Sequence, residues 1–190
     1  MNEIKLNLGC GANKISGYVN VDKYGDPDIK QDLELFPWPW KDNSVSEIRL
    51  VHVLEHLGKE TDIYFGIFKE IYRICIHSAK VFIVVPHFRH QYFYDDPTHV
   101  RVVTPLGLQL FSKKANKLWI EQGASNSPLG QYLDIDFELR KTIIKPSSDW
   151  YRLHPEAEID SNLFRDESAI YNNLIEQYEM ILEVIKDSLV

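Results

Sequence analysis

Glu3-Ile4-Lys5-Leu6-Asn7-Leu8-Gly9-Cys10-Gly11 is the stretch that decides the fold of this chain. Apolar and polar residues alternate over 3–8 and the run stops at two glycines flanking Cys10, so the segment reads as a β-strand entering a tight turn. A Gly-x-Gly turn lets backbone approach a ligand closely, because neither glycine carries a Cβ. Taken alone, such a turn is common at strand–turn junctions.

Working outward, Tyr18-Val19-Asn20-Val21 reads as a second strand ending at Asp22, 29–33 as a short third, and Ser46–Leu54 as a fourth. Asp62–Ile76 carries a helical stripe of Ile63, Ile67, Ile71 and Ile74 beside Tyr64, Phe68 and Tyr72. Val81-Phe82-Ile83-Val84-Val85 is continuously apolar up to Pro86, as expected of a strand buried on both faces in a parallel sheet. Phe36-Pro37-Trp38-Pro39-Trp40 cannot be regular structure, since two prolines remove donors and fix φ. The tryptophans there suit a lid packed on the core. Thr104 caps a helix predicted from Pro105 to about Trp119, and two strand pieces follow at 133–139 and 141–144. Ala169–Leu189 has Ile170, Leu174, Tyr178, Ile181 and Ile185 at helical spacing. The expected organisation is therefore an α/β domain over 1–165 and a C-terminal amphipathic helix over 166–190 packed on it. The 174–178–181–185 spacing also suits a homodimer seam.

Strands alternating with helices predict a Rossmann-like, doubly wound, mostly parallel sheet with helices on both faces and a shortened first helix. Ligands in such sheets sit beyond the carboxyl ends of the strands. Gly9–Gly11, Asp22, His52 and Pro86 would converge there.

Composition bounds the function. The 190 residues are 44% hydrophobic and 26% charged, the profile of a globular chain rather than a fibrous or disordered one. Cys10 and Cys75 give neither a disulfide framework nor metal-ligand spacing, which fits a reducing compartment. No signal-peptide pattern opens the sequence and no apolar run is long enough to cross a bilayer, so a cytoplasmic protein without a membrane partner is expected. Of the net charge of −7, the segment 166–190 carries −5 from six acids and one lysine, leaving −2 for the preceding chain. Short basic clusters near Lys113, Lys114 and Lys117 do not amount to a polyanion-binding face, and no nucleic-acid partner is expected.

Asp22 can be read as a turn acid before Lys23 or as a carboxylate that accepts both hydroxyls of a ribose. An NAD site fits poorly. Its third glycine would fall at Lys14, and its acid lies roughly 20 residues on, whereas Asp22 is 13 beyond Gly9. The first crossover is also too short to present a helix N-terminus to a pyrophosphate.

The ordered series Leu6-Asn7-Leu8-Gly9-Cys10-Gly11, Gly17-Tyr18-Val19-Asn20-Val21-Asp22, Asp32-Leu33, Pro39-Trp40-Lys41-Asp42-Asn43-Ser44 and His52-Val53-Leu54-Glu55-His56-Leu57 resembles the class I S-adenosylmethionine-dependent methyltransferases. Within them it resembles the small methyltransferase-11-like branch. The likeness continues through Glu70-Ile71-Tyr72-Arg73 and Val81–Pro86, over roughly residues 3–105, and Asp95-Asp96-Pro97-Thr98-His99-Val100-Arg101 also looks like a segment of that branch. The resemblance implies S-adenosylmethionine as cofactor. Leu8, Gly9, Cys10 and Gly11 would pass under its methionine and ribose, Asp22 would hold the ribose diol, Asp32 with Leu33 would meet the adenine, and His52 would line the methionine end. The chain departs from the family at Asn13, in place of a third loop glycine, and at His77-Ser78-Ala79-Lys80, in place of a Pro-Gly-Gly turn.

Methyl transfer is an in-line displacement in which positioning supplies much of the rate, and a base is needed only when the attacking atom must lose a proton. The loop His87–His99 offers bases and aromatics directly after the fifth strand. His99 is the candidate catalytic base, with Asp96 as its orienting partner. The alternative for His99 is a structural role within its loop, and for His56 a place at a helix start. His87, His90, Asp95 and Asp96 lack a defined ligand spacing, and no metal is expected. A transferase acting on a small-molecule or glycan-like acceptor is the function these expectations favour. An oxidoreductase and a cofactor-binding protein without turnover are the alternatives.

Overall fold

Leu6 and Leu8 of the first strand are fully buried, and every neighbouring strand sets matching apolar residues beside them. The computed structural model describes residues 3–156 and 162–186. Among these, β1 (Ile4–Leu8), β2 (Val19–Asp22), β3 (Ile29–Lys30), β4 (Val45–Val51), β5 (Cys75–Pro86), β6 (Phe137–Pro146) and β7 (Ile175–Val184) form one sheet in the order β3-β2-β1-β4-β5-β7-β6. The first five strands are parallel, while β7 runs antiparallel to both β5 and β6. This is the Rossmann-like α/β architecture that the alternation of elements predicts.

Helix α1 (Thr61–Ile74) links β4 to β5 and buries Tyr64, Ile67, Phe68, Ile71 and Ile74 in one core with Leu6, Leu8, Ile48, Leu50, Val81 and Ile83. Phe68 stacks on Phe111 at 4.2 Å between ring centres, which brings α3 (Pro105–Gln109) and α4 (Lys113–Glu121) onto the same side. The helix expected over 105–119 is thus two helices. Thr104 caps the first by accepting from Gly107, and Ser112 breaks the run by capping the second through Ala115.

The links β1–β2 and β2–β3 travel along the sheet in the opposite sense to β4–β5, so right-handed crossovers place them on the other face. Neither link holds a helix, which goes further than the expected shortening. Asparagines do the anchoring instead. Asn20 Oδ1 accepts from Asn7 Nδ2 (3.0 Å) and from the Ile15 amide (2.8 Å), while Asp28 accepts from the Asn20 amide and side chain, both at 2.8 Å. Register places Lys5, Glu47, Lys80 and Glu183 in one row on this face, with Lys5–Glu47 at 3.3 Å and Lys80–Glu183 at 2.6 Å. The next row sets Arg49 over Phe82, 5.0 Å from its centre.

The C-terminal helix is not formed. Residues 175–184 are β7, inserted between β5 and β6, so this segment is part of the sheet and not a packed appendage. The helical spacing deceived because both faces of β7 carry apolar side chains. Tyr178, Met180, Leu182 and Val184 are buried in the core, whereas Ile181 lies half-buried on the opposite face. The dimer seam built on 174–178–181–185 loses its basis with the helix, and Asp187–Val190 lie outside the described residues. The two pieces expected at 133–139 and 141–144 are replaced by the single strand β6, which starts only at Phe137; 133–136 form the turn after the short helix Leu129–Tyr132. Short helices α2 (Gln91–Asp95), α5 (Leu129–Tyr132), α6 (Ser148–Leu153) and α7 (Asn162–Ile170) complete the chain. No helix of the described residues is long and apolar enough to cross a membrane.

Candidate functional site

Gly9 leaves β1 at φ +66°, and a Cβ there would lie 2.4 Å from Val53 Cγ2, so both the turn and the close approach of residue 53 require glycine. The chain then folds back. The Cys10 amide donates to the Val21 carbonyl (3.0 Å) and the Gly11 amide to Asp22 Oδ2 (2.9 Å). Asp22 Oδ1 accepts from the Tyr24 amide at 2.8 Å. An ionised carboxylate has about four acceptor positions, so Asp22 keeps capacity for two more donors.

Beyond these strand ends lies a cleft of about 370 Å³ lined by Gly9, Asp22, Lys23, Tyr24, Gln31, Leu33, His52, Val53, His56, Leu57 and Thr98. Four of the expected cofactor residues line it: Gly9, Asp22, Leu33 and His52. Leu8 and Cys10 are buried beneath it, and Gly11 contributes its bond to Asp22. Asp32 is not on the wall. Its Oδ1 accepts from the Glu34 amide (3.0 Å) and its Oδ2 faces Lys23 Nζ at 3.7 Å. Tyr24, Gln31, Val53, Leu57 and Thr98 were not singled out by sequence; the positions of Tyr24, Gln31 and Val53 just after strand tips are the signal that could have found them, whereas Leu57 and Thr98 are brought in by the fold.

His52 stands at the tip of β4 with φ +54°, and its amide donates to the Val84 carbonyl at 2.9 Å. A 3₁₀ turn, Leu54–His56, follows directly. His52 and His56 also line a second cavity of about 410 Å³, together with Glu55, Pro86, Tyr92, Asp96, His99, Glu176 and Gln177. The two cavities share His52 and His56 as a common wall. The Glu55 carboxylate, 3.4 Å from His52 Nδ1, raises the pKa of that imidazole, with burial opposing it. A larger groove, about 450 Å³, lies between α4 and β6 around Lys114, Lys117 and Leu118, away from the strand ends.

His99 and Asp96 both line the second cavity, but Asp96 Oδ2 is 4.0 Å from His99 Nε2 and not hydrogen-bonded to it. The His99 ring is oriented by the Phe93 carbonyl, which accepts from Nδ1 at 2.8 Å. Asp96 is engaged by Thr98, whose amide (2.8 Å) and hydroxyl (2.6 Å) both donate to Oδ1, and these bonds hold its carboxyl below the usual range. His87 and His90 serve the backbone. Each accepts at Nδ1 from the amide two residues on, at 3.2 Å, and both rings are buried. Trp38 and Trp40 pack into the core as the lid expected, with the Trp38 amide donating to Glu70 Oε2 at 2.6 Å.

No family model matches this sequence, and no curated protein is detectably similar to it. Solved structures are. A SAM-dependent methyltransferase from Archaeoglobus fulgidus superposes with a TM-score of 0.61 at 21% identity, covering 95% of this chain and 86% of that one. A SAM-dependent methyltransferase from Methanosarcina mazei gives 0.53 at 13% identity, over 98% and 95% of the two chains. The 1,6-didemethyltoxoflavin-N1-methyltransferase of Burkholderia thailandensis, solved with that substrate and S-adenosylhomocysteine bound, gives 0.54 at 10% identity, over 96% and 71%. The chain has the Rossmann-like fold of the SAM-dependent methyltransferases.

Proposed function

We propose that this protein is an S-adenosylmethionine-dependent methyltransferase that acts on a small-molecule or glycan-like acceptor. The observation that carries this reading is the pair of adjoining cavities with His52 and His56 as their common wall, one opening on Gly9 and Asp22, the other on the acid–imidazole cluster of Glu55 and His99. A bisubstrate reaction needs two sites that meet at the reacting atoms.

The cleft suits the cofactor. Its volume of about 370 Å³ falls within the range of small-molecule sites, roughly 300–1,000 Å³. Asp22 offers its spare acceptor positions to a ribose diol, Leu33 and Tyr24 offer apolar surface to a purine, and the open space beside Gly11 leaves room for a ligand. When bound, S-adenosylmethionine supplies an electrophilic methyl group. The protein's own contribution is to hold the acceptor in line and to take up a proton where the acceptor must lose one. His99 is suited to the second task, since its Nδ1 is committed to the Phe93 carbonyl and its Nε2 is left with a lone pair.

Titration calorimetry with S-adenosylmethionine tests the reading. Binding that weakens at least tenfold in Asp22→Ala, with methyl transfer to a panel of hydroxylated and amine acceptors, is the expected result. Absence of binding defeats it, and binding without transfer across the panel reduces the protein to a cofactor binder.

A further inference from the structure

Glu55 carries a carboxylate that is 1% exposed, and neither of its oxygens has a hydrogen bond among the described residues. Burying a charged carboxylate without hydrogen bonds is costly unless a cation meets it. The approach of His52 Nδ1 to Oε1 at 3.4 Å falls short of a hydrogen bond and leaves Oε2 untouched. The neighbours of Glu55 are two more imidazoles. One ligand-capable atom each of Glu55, His56 and His99 lies within 4.8 Å of the others, and all three residues line the second cavity.

The tautomers of both histidines follow from their partners. His99 Nδ1 is 2.8 Å from the Phe93 carbonyl, which can only accept, so Nδ1 carries the proton and Nε2 the lone pair. His56 Nδ1 is 2.8 Å from Thr98 Oγ1, whose own proton is spent on Asp96 Oδ1 at 2.6 Å. His56 Nδ1 must therefore donate, and its Nε2 is a free lone pair as well. Metal-binding histidines are held in this way, one ring nitrogen donating to a carbonyl or to a carboxylate-linked group while the other ligates.

We propose that Glu55, His56 and His99 bind a divalent first-row transition metal ion, with Phe93, Thr98 and Asp96 fixing the imidazoles behind it. Two imidazoles and one carboxylate are a donor set for zinc or ferrous iron that leaves coordination positions open. Ligand bonds near 2.1 Å would place neighbouring donors about 3–3.5 Å apart, so the side chains close in slightly on binding. The open positions face the second cavity. Resting on the methyltransferase reading, the acceptor class is then one that presents a hydroxyl oxygen to the metal, which acidifies its proton for release to solvent; in the loaded protein His99 Nε2 ligates the ion and the metal takes over the task of the base. The metal site itself does not depend on that reading. It differs from the sequence expectation of no metal, which weighed His87, His90, Asp95 and Asp96 and missed Glu55 and His56.

Untagged protein, stripped with chelator, is titrated with zinc and with cobalt and followed by native mass spectrometry and by the cobalt absorption spectrum. The expected result is one ion per chain, an affinity lowered at least 100-fold in Glu55→Gln and in His99→Gln, and roughly tenfold in Thr98→Val, the supporting position. Circular dichroism confirms that each variant is folded, and His56→Gln replaces any that is not. No stoichiometric ion, or an affinity unchanged in the folded variants, overturns the proposal. Calorimetry with S-adenosylmethionine on the stripped protein reports the cofactor site separately, so failure of either site is read independently of the other.

Discussion

The Gly11 amide donates to Asp22 Oδ2 at 2.9 Å, so the turn after β1 and the tip of β2 are held together by the carboxylate proposed to bind the cofactor. Asp22 sits half-buried at the end of β2, outside the core. Asp22→Ala should therefore weaken S-adenosylmethionine binding at least tenfold in calorimetry while costing no more than about 1 kcal/mol of stability. Asp22→Asn, which keeps an acceptor oxygen but loses the charge, should fall between the two in affinity.

Gly9 and Val53 should behave as a coupled pair. Gly9→Ala adds a Cβ 2.4 Å from Val53 Cγ2 at φ +66°, and the overlap with the left-handed strain should cost about 2–3 kcal/mol in urea unfolding. Val53→Ala removes the overlap but not the strain. The double variant should be less destabilised than the sum of the two single ones, by about 1 kcal/mol.

The Glu70–Arg73 pair replaces regular structure in the loop before β4. Arg73 reaches the carbonyls of Trp38 (3.0 Å) and Trp40 (2.9 Å), while Glu70 accepts from both Arg73 and the Trp38 amide. Glu70→Ala takes the acceptor from the buried Trp38 amide and from Arg73 Nε, while Asp42 and the two carbonyls still hold the guanidinium, and should cost about 2 kcal/mol by chemical denaturation. Glu70→Gln should cost less.

Burial, reinforced by the nearby Arg89 and His90, pushes the His87 imidazole down to about 4. In the unfolded chain it titrates near 6.5, so below that pH the unfolded state takes up the proton first. Stability from this group is complete above about pH 6.5 and is lost as pH falls toward about 4. His90, lowered chiefly by burial, acts in the same sense. Unfolding curves at stepped pH should show this loss, and His87→Gln should flatten it.

β7 offers a direct discrimination between strand and helix. In the sheet Leu182 is fully buried and Ile181 is half-buried on the other face. Leu182→Ala should cost about 2–5 kcal/mol and Ile181→Lys about 1 kcal/mol or less. A helix presenting 174, 178, 181 and 185 would give the reverse order.

Much of this architecture was legible in the residues. Val81–Val85 reads as a buried strand because its unbroken apolar run has no use outside a sheet interior, and α1 reads as a helix because its apolar stripe covers only one side. Segment 169–189 misled because Ile181, half-buried on the other face of β7, falls at helical spacing from the buried Leu174 and Tyr178. Within the site, Gly9, Asp22 and His52 announced themselves at strand tips. Glu55 and His56 did not, because their importance comes from a neighbour more than 40 positions away, His99, which only the tertiary fold supplies. Asp32 was assigned to the adenine by resemblance; its Oδ1 meets the Glu34 amide and its Oδ2 faces Lys23, a residue of the cleft wall.

The placement of β7 bears on how the molecule is made. β5 and β6 do not pair with one another; each pairs with β7, which follows both in the sequence. A chain emerging from the ribosome therefore holds β5 with one row of backbone donors and acceptors unmet, and β6 has no strand to pair with, until some forty residues beyond β6 have been synthesised. Truncations or pauses in that interval should yield sticky, aggregation-prone fragments, whereas an intact chain seals the gap in one late step.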